Sequence, residues 1–358
     1  MKGSIGTHCR GKRQDIACPR TAVIRQLFMM RQVPKARLNM RFVLAGNERI
    51  GFECLKILLQ EKQQVVAVIT DRNNQKSKLE NRRVKYLASQ SGLKLLEIED
   101  INDPGLLREL GRLAPDVIFN LALLHIYKAP VLAIPRLGCI NFHPGPLPRY
   151  GGSNGWVWAI INGETEYGVT YHFMDERVDA GDIVAMQRFP IGKDDTGLSL
   201  LMKCYDQGAL LFRKVLGDIV EENVVSTSQG QHGRSYFYNR IPYDGIIDTG
   251  WNATRIRDFV RALDFSPFPN PLSPPMVIFE DTKLIVTKAE VVDWEMTPPK
   301  KPGEVIDINQ HGVIMQSGTG LVLLALSDPA LRSSDIEEVC ISKGIARGSV
   351  LGSRSLVV

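Results

Sequence analysis

Gly138-Cys-Ile-Asn-Phe-His-Pro-Gly-Pro-Leu-Pro-Arg-Tyr-Gly-Gly152 reads as a short buried strand that breaks into an irregular loop. Cys139, Ile140 and Phe142 are the apolar part of the strand. Pro144, Pro146 and Pro148, with Gly145, Gly151 and Gly152, then exclude regular structure. Asn141 and His143 are two apart, so on an extended chain they face the same way. Open α/β sheets bind ligands at the carboxyl ends of their strands. An Asn-x-His pair in that position is read here as a site.

Outward from this segment the chain alternates β-rich runs with helical ones. The strands are Phe42–Ala45, Val65–Thr70, Lys94–Ile98, Val117–Leu121 and Ile140–Phe142. Between them lie a helix with Ile50, Cys54, Leu55 and Leu58 on one face, a helix at Val84–Ser91 and a third at Pro104–Leu113. This order predicts βαβ units and a mostly parallel, Rossmann-like sheet. A long helix is expected from about Thr196 to Val220, capped by Asp195 or Thr196. A further helix at Thr254–Leu263 and a proline-rich stretch, Ser266 to Pro275, lead into short strands separated by glycine-containing turns. Those strands predict a smaller C-terminal β-barrel, OB-like in character. The expected divisions are a tail over 1–39, a catalytic unit over 40–243 and a β unit over 244–358.

The chain has 358 residues and a formal net charge of +5. The first 41 residues carry ten Lys/Arg against Asp15 alone, which leaves 34 bases and 38 acids elsewhere. The basic character therefore belongs to the tail. No 7–15-residue apolar core marks the tail as a signal peptide. It is read as a disordered segment or an over-long start, with a mitochondrial leader as the alternative. Six scattered cysteines with no zinc-like spacing point to a reducing compartment, so a cytoplasmic location and no metal are expected. The most apolar stretch, Val117 to Ile134, is interrupted by Asn120, His125, Lys128 and Pro130, which argues against a membrane span.

Two further segments carry chemistry. Gly46-Asn-Glu-Arg-Ile-Gly51 lacks the glycine spacing of a dinucleotide loop and the Lys-Ser/Thr of a P-loop, so it reads as a tight turn. Gly168-Val-Thr-Tyr-His-Phe-Met-Asp-Glu-Arg-Val-Asp-Ala-Gly-Asp-Ile183 is a strand, with Val169, Tyr171 and Phe173 on one face, running into an acidic loop. A bend at Asp179-Ala-Gly181 can aim a carboxylate back at the sheet.

Taken together, Asn141–Gly152 and Val178-Asp-Ala-Gly-Asp-Ile183 resemble the two signatures of the 10-formyltetrahydrofolate-dependent formyltransferases. That family includes enzymes acting on methionyl-tRNA, on glycinamide ribonucleotide and on amino sugars. Its Asn-x-His and the Asp that follows the His by 36 residues fall on Asn141, His143 and Asp179. The resemblance implies a catalytic triad and 10-formyltetrahydrofolate as co-substrate. Asn141 and His143 would donate to the oxyanion, and Asp179 would orient His143 and help relay a proton. It also implies folate contacts, largely through backbone, at His125, Ile126, Tyr127, Phe142, Pro144, Gly145, Met174, Asp175 and Glu176.

The acceptor separates the branches. The tRNA enzymes carry Ser-Leu-Leu-Pro-Arg-Trp-Arg-Gly after the His-Pro, where this chain has Gly145-Pro-Leu-Pro-Arg-Tyr-Gly-Gly152. Residues 246–358 hold eleven Lys/Arg against fourteen Asp/Glu, the wrong sign for gripping phosphates. His172 resembles the sugar and small-amine branches. The expected partners are thus folate and a small or nucleotide-linked amine, with methionyl-tRNA as the alternative and no membrane partner. A 10-formyltetrahydrofolate hydrolase and a non-catalytic folate-binding protein are the other readings. The basic run Arg72, Lys76, Lys78, Arg82, Arg83 and Lys85 reads as a solvated face or a phosphate contact. Asn154, Trp156 and Trp158 read as an acceptor pocket or as core packing.

Overall fold

In a computed structural model, residues 40–72, 78–230, 233–294, 298–328, 330–331 and 335–352 are described, without the side chains of 78–82. The expectations for residues 1–39 lie outside the described residues. The chain from 40 onward begins with β1 (Arg41–Gly46), α1 (Arg49–Gln60), β2 (Gln64–Asp71), α2 (Lys78–Gln90), β3 (Leu95–Ile98), α3 (Pro104–Leu113) and β4 (Val117–Leu121). It continues with α4 (Ala129–Leu132), β5 (Gly138–His143), β6 (Gly151–Gly152), α5 (Gly155–Ile161), β7 (Glu166–Phe173), β8 (Ile183–Pro190) and α6 (Gly197–Val220).

The main sheet has the order β3-β2-β1-β4-β5-β7-β8. Strands β3 to β5 are parallel, and β7 and β8 extend the sheet antiparallel. The expectation of a mostly parallel α/β sheet is met. Alternation along the strands divides the core in two. Phe42, Leu44, Phe119, Ile140 and Phe142 point to one face, with Leu55 and Leu58 of α1 and Cys204, Phe212 and Val215 of α6. Val43, Ala45, Ile118 and Cys139 point to the other, with Leu106 and Leu110 of α3. Thr196 and Ser199 form a reciprocal capping box at α6. Asp195 instead accepts from Gly192 N–H and pairs with Lys203 at 2.6 Å.

The remaining elements are β9 (Tyr236–Phe237), α7 (Ala253–Ala262), β10 (Met276–Phe279), β11 (Thr282–Val292), β12 (Val305–Asn309), β13 (Gly312–Gln316), β14 (Leu321–Ser327) and α8 (Ile336–Lys343). The last five strands form an antiparallel sheet of order β10-β11-β14-β13-β12. Its edges are bridged by the C-terminal segment. Val305 N–H donates to Ser349 O and Leu351 N–H to Gly303 O, while Gly352 N–H donates to Ile278 O. This draws the two edge strands toward the ring that the sequence pattern suggested. Ile256, Phe259 and Val260 of α7 join the same apolar core as α6. The helices α4 and α8 were not individually legible because each is eight residues or shorter.

Candidate active site

On the face of the sheet covered by α3, the apolar rows end before the strands do. Cys139 gives way to Asn141 and His143, and Ile118 gives way to Asn120. Register then sets three polar residues side by side. Asn120 lies opposite Asn141 across β4–β5, and Asn141 opposite His172 across β5–β7. Asn120 Nδ2 donates to Asn141 Oδ1 at 2.8 Å, and Asn141 Nδ2 contacts His172 Nε2 at 3.0 Å. A buried polar row of this kind is stable only when its members satisfy one another.

The acidic loop after β7 delivers the third predicted group. Asp179 is 9% exposed and adopts a left-handed backbone at φ 53°. That conformation is uncommon for a non-glycine residue. Gln229 Nε2 steadies it by donating to the carbonyls of Asp179 and Gly181 at 3.1 and 2.7 Å. The bend turns the carboxylate inward, as its sequence suggested. Oδ2 accepts from Gly152 N–H at 2.7 Å and lies 3.5 Å from His143 Nδ1, and Oδ1 lies 3.6 Å from His172 Nε2. Burial by itself would push this carboxyl up. The charge of His143 and the hydrogen bond from the Gly152 amide outweigh it and hold it well below the usual carboxylate range.

His143 is 4% exposed, and both its ring nitrogens are engaged. Nε2 meets Tyr150 O at 2.8 Å. A carbonyl can only accept, so Nε2 carries the proton in this contact. To donate to an oxyanion, as expected from sequence, His143 must leave that carbonyl. Gly145 makes room for the ring: a Cβ there would stand 2.7 Å from Nε2 and 2.9 Å from Tyr150 O.

The strap that follows α6 closes over this loop. Strand β9 pairs in parallel with β6, placing Tyr236 opposite Gly151 and Phe237 opposite Gly152. Phe237 is stacked between Tyr150 and Trp158, with ring centroids 5.3 and 5.2 Å away. Trp156 and Trp158 both pack against the main core, which favours the packing reading of that pair. Tyr236 and Tyr238 turn outward, 40% and 70% exposed, with centroids 5.1 Å apart.

The predicted folate-contacting residues come from three segments: the β4–α4 loop, the end of β5 with its loop, and the loop after β7. Leu123 and Tyr127 of the β4–α4 loop pack with Cys139 and Met174. Ile126 is exposed, while Tyr127 is buried and donates to Asn120 Oδ1 at 3.3 Å. His125 meets Asp71 at 2.6 Å and is raised above its ordinary value by that hydrogen bond. Phe142 is buried against Tyr171 and Tyr205, so only its backbone is open to a ligand. Pro144 O accepts from Tyr167 Oη, and Gly145 O from Thr170 Oγ1. Met174 N–H donates to Cys139 O, Asp175 is paired with Arg177, and Glu176 is exposed. In the basic run, Arg72 pairs with Glu99 and Lys85 with Glu97. The side chains of Lys76, Lys78 and Arg82 lie outside the described residues.

The sequence profile described as Formyl transferase matches residues 39–216, and that described as Formyl transferase, C-terminal domain, matches 241–340. The methionyl-tRNA formyltransferase of Caldanaerobacter subterraneus is 32% identical over 317 residues, covering 87% of this chain and all of that protein. The chain belongs to the formyl transferase family. The corresponding enzyme of Citrifermentans bemidjiense is 31% identical over 80% of this formyltransferase and 88% of its own length. Among solved structures, a sugar 3N-formyl transferase superposes with a TM-score of 0.62 at 21% identity, covering 81% of this chain and 98% of that one. An N-formyltransferase from Helicobacter canadensis gives 0.62 at 20% identity, covering 80% and 100%. These two share the fold.

Sequence reasoning assigned no role to Asn120 and used His172 only to separate branches. Both had a signal: a polar residue interrupting an apolar strand. Among the described residues no group of three or more His, Cys, Asp or Glu is placed to hold a metal, and no helix is long and apolar enough to cross a membrane.

Proposed function

We propose that this formyltransferase moves the formyl group of 10-formyltetrahydrofolate onto the amine of a small or nucleotide-linked acceptor, with Asn141, His143 and Asp179 as its catalytic residues. The observation that carries the reading is their convergence: Asp179, from the acidic loop, lies 3.5 Å from His143 at the end of β5 and 3.6 Å from His172 of β7, which contacts Asn141 at 3.0 Å. The folate supplies a formyl carbon held on N10. Asn141, only partly buried, has an N–H to offer the oxygen of the tetrahedral intermediate as the amine adds. Collapse breaks the carbon–N10 bond, so the acceptor nitrogen must lose a proton and N10 must gain one. His143, once released from Tyr150 O, is placed to carry that proton with Asp179 behind it.

Folate binding is assigned to the backbone and rim of the loops at 125–127, 142–145 and 174–176. Exposed Leu124 and Ile126 provide apolar surface there for a flat ring. The sugar 3N-formyl transferase was solved in the presence of dTDP and 5-N-formyl-THF, and the H. canadensis enzyme with folinic acid and dTDP-3-aminofucose. A nucleotide-linked acceptor draws support from Tyr236 and Tyr238, two exposed rings beside the catalytic loop on which a base can stack. The excess of acids over bases in residues 246–358 points the same way. The second reading, methionyl-tRNA formylation, is favoured by the 32% identity to an enzyme of that name along its whole length. The four described cysteines, Cys54, Cys139, Cys204 and Cys340, are buried free thiols, in keeping with a cytoplasmic location.

The test incubates the full chain with 10-formyltetrahydrofolate and, separately, amino sugar nucleotides, hydroxyornithine-type amines and charged methionyl-tRNA. Mass spectrometry then reads the gain of a formyl group. Gain on a sugar nucleotide or small amine is the expected result. Gain on methionyl-tRNA alone would replace the first reading with the second.

A further inference from the structure

We infer that Asn120 is a positioning residue: with Tyr127 and His172 it locks the carboxamide of Asn141 so that an N–H, and not the oxygen, faces the reacting carbonyl. The inference rests on the proposed transfer chemistry, in which Asn141 serves the oxyanion.

His172 Nδ1 lies 2.8 Å from Phe173 O. That carbonyl can only accept, so Nδ1 carries a proton and the neutral ring presents a bare Nε2. Bare Nε2 must accept, so the group facing it at 3.0 Å is the NH2 of Asn141, while the charged Asp179 Oδ1 stands 3.6 Å from that nitrogen, beyond hydrogen-bond distance. The Asn141 oxygen is thereby turned to Asn120, whose NH2 donates to it at 2.8 Å. The oxygen of Asn120 then faces the Tyr127 hydroxyl at 3.3 Å, which donates. Every link has the same sense: Tyr127 to Asn120 to Asn141 to His172 to the main chain. Reversing the Asn141 amide would set NH2 against NH2 on one side and oxygen against a ring lone pair on the other. Both mismatches would be buried, since Asn120 is 6% and His172 2% exposed. The chain uses one N–H of Asn141 and leaves the second for the substrate oxygen. It needs no residue from outside strands β4, β5 and β7 and the loop between β4 and α4, so it is set by strand register and that loop rather than by the ligand.

Asn120→Asp tests the sense of the chain, because an ionised carboxylate can only accept. It would draw the Asn141 NH2 toward itself, turn the Asn141 oxygen to His172 and force a proton onto Nε2. We expect kcat at pH 8 to fall about 100-fold, with the folate KM within about twofold of wild type. The ratio to wild type should climb as pH falls and the new carboxyl takes a proton with which to donate. Asn120→Leu, which neither donates nor accepts, should fall only about tenfold and show no such climb. Equal losses in the two variants, or a flat ratio across pH, would overturn the inference. Long-range 1H–15N spectra of His172 give a readout independent of turnover. Wild type at pH 8 should show a protonated Nδ1 and a bare Nε2, and a protonated Nε2 there would overturn the inference outright. If Asn120→Asp does not fold, the wild-type spectrum decides, together with Asn120→Leu, whose kcat should fall about tenfold with the folate KM near wild type and whose unchanged kcat would overturn the inference. An inactive wild type with the expected His172 spectrum would instead break the proposed function and leave the hydrogen-bond chain standing.

Discussion

The carboxyl end of the seven-stranded sheet and the five-stranded C-terminal sheet both sit on well-packed apolar cores, yet their polar residues bond differently. At the end of the first, Asn120, His143, His172 and Asp179 are buried and bonded to one another or to main chain. On the second, Lys288, Glu290 and His311 line a shallow surface hollow, where Lys288 and Glu290 pair in solvent. Parallel strands end together and release their chains into loops, so polar side chains from separate strands converge. Antiparallel strands turn back at once, and the polar residues buried there, Gln316 and Ser317, bond to main chain of their own turn.

The comparison breaks most visibly at Asp179. Asp179→Asn should lower kcat by about 10³-fold, within the range for a positioned acid–base group. Wild-type turnover in that variant would reduce the carboxylate to a structural pin. The same group carries a pH signature. Its folded value is depressed, so its contribution to stability is present above its unfolded value of about 4 and fades as pH falls toward the folded one. The gap in melting temperature between wild type and Asp179→Asn should therefore narrow below about pH 4.

Removing the amide at Asn141 comes next. Asn141→Ala should cost about 100-fold in kcat while leaving folate affinity near wild type, as measured by turnover and fluorescence titration. A loss confined to folate binding would move Asn141 from the reacting carbonyl to the ligand's rim. Gly152→Ala sharpens the contrast through backbone alone. Gly152 has φ 89°, and a Cβ there would stand 2.1 Å from Phe237 O. We expect the strap to be pushed off the catalytic loop, with a loss of about 2 kcal/mol or more in chemical denaturation. An unchanged denaturation curve would mean that β6 and β9 do not pair.

A smaller effect is expected at the rim. The Asp71 hydrogen bond raises His125, so the stability it adds is full below about pH 6.5 and is lost as pH rises through the folded value. His125→Gln should melt below wild type at pH 6 and approach it by pH 9. A gap that widens with pH would mean that the ring is held neutral. Smallest of all, Lys288→Ala on the C-terminal sheet should change stability by no more than about 0.5 kcal/mol and leave turnover untouched. A fall in turnover there would bring the second sheet into the site.

Much of this was legible in order along the chain. The alternation Phe42-Val43-Leu44-Ala45 sends residues to two faces of one sheet, and two covered faces demand helices on both sides. Asn141 and His143 announced themselves by standing at the end of an apolar strand before a loop rich in proline and glycine. Asp179 did so through the bend two residues before Gly181. Other groups stayed silent because their roles depend on partners distant in sequence. Asn120 is one polar residue in an apolar strand until register sets it against Asn141. His172 becomes part of the site only because β7, antiparallel to β5, sets it opposite Asn141. Tyr150 O, which occupies His143, belongs to no motif of side chains at all.

The sequence by itself determined the layered α/β architecture, which follows from periodicity, and the resemblance of two motifs to the family's signatures put forward Asn141, His143 and Asp179 as candidate site residues. Only the tertiary structure decided which way each polar group faces: the inward turn of Asp179, the engagement of His143 with Tyr150 and the one-way chain through Asn141. Direction in a hydrogen-bond network is fixed by its ends, and here the end that decides is the Phe173 carbonyl, 32 residues from the amide it orients.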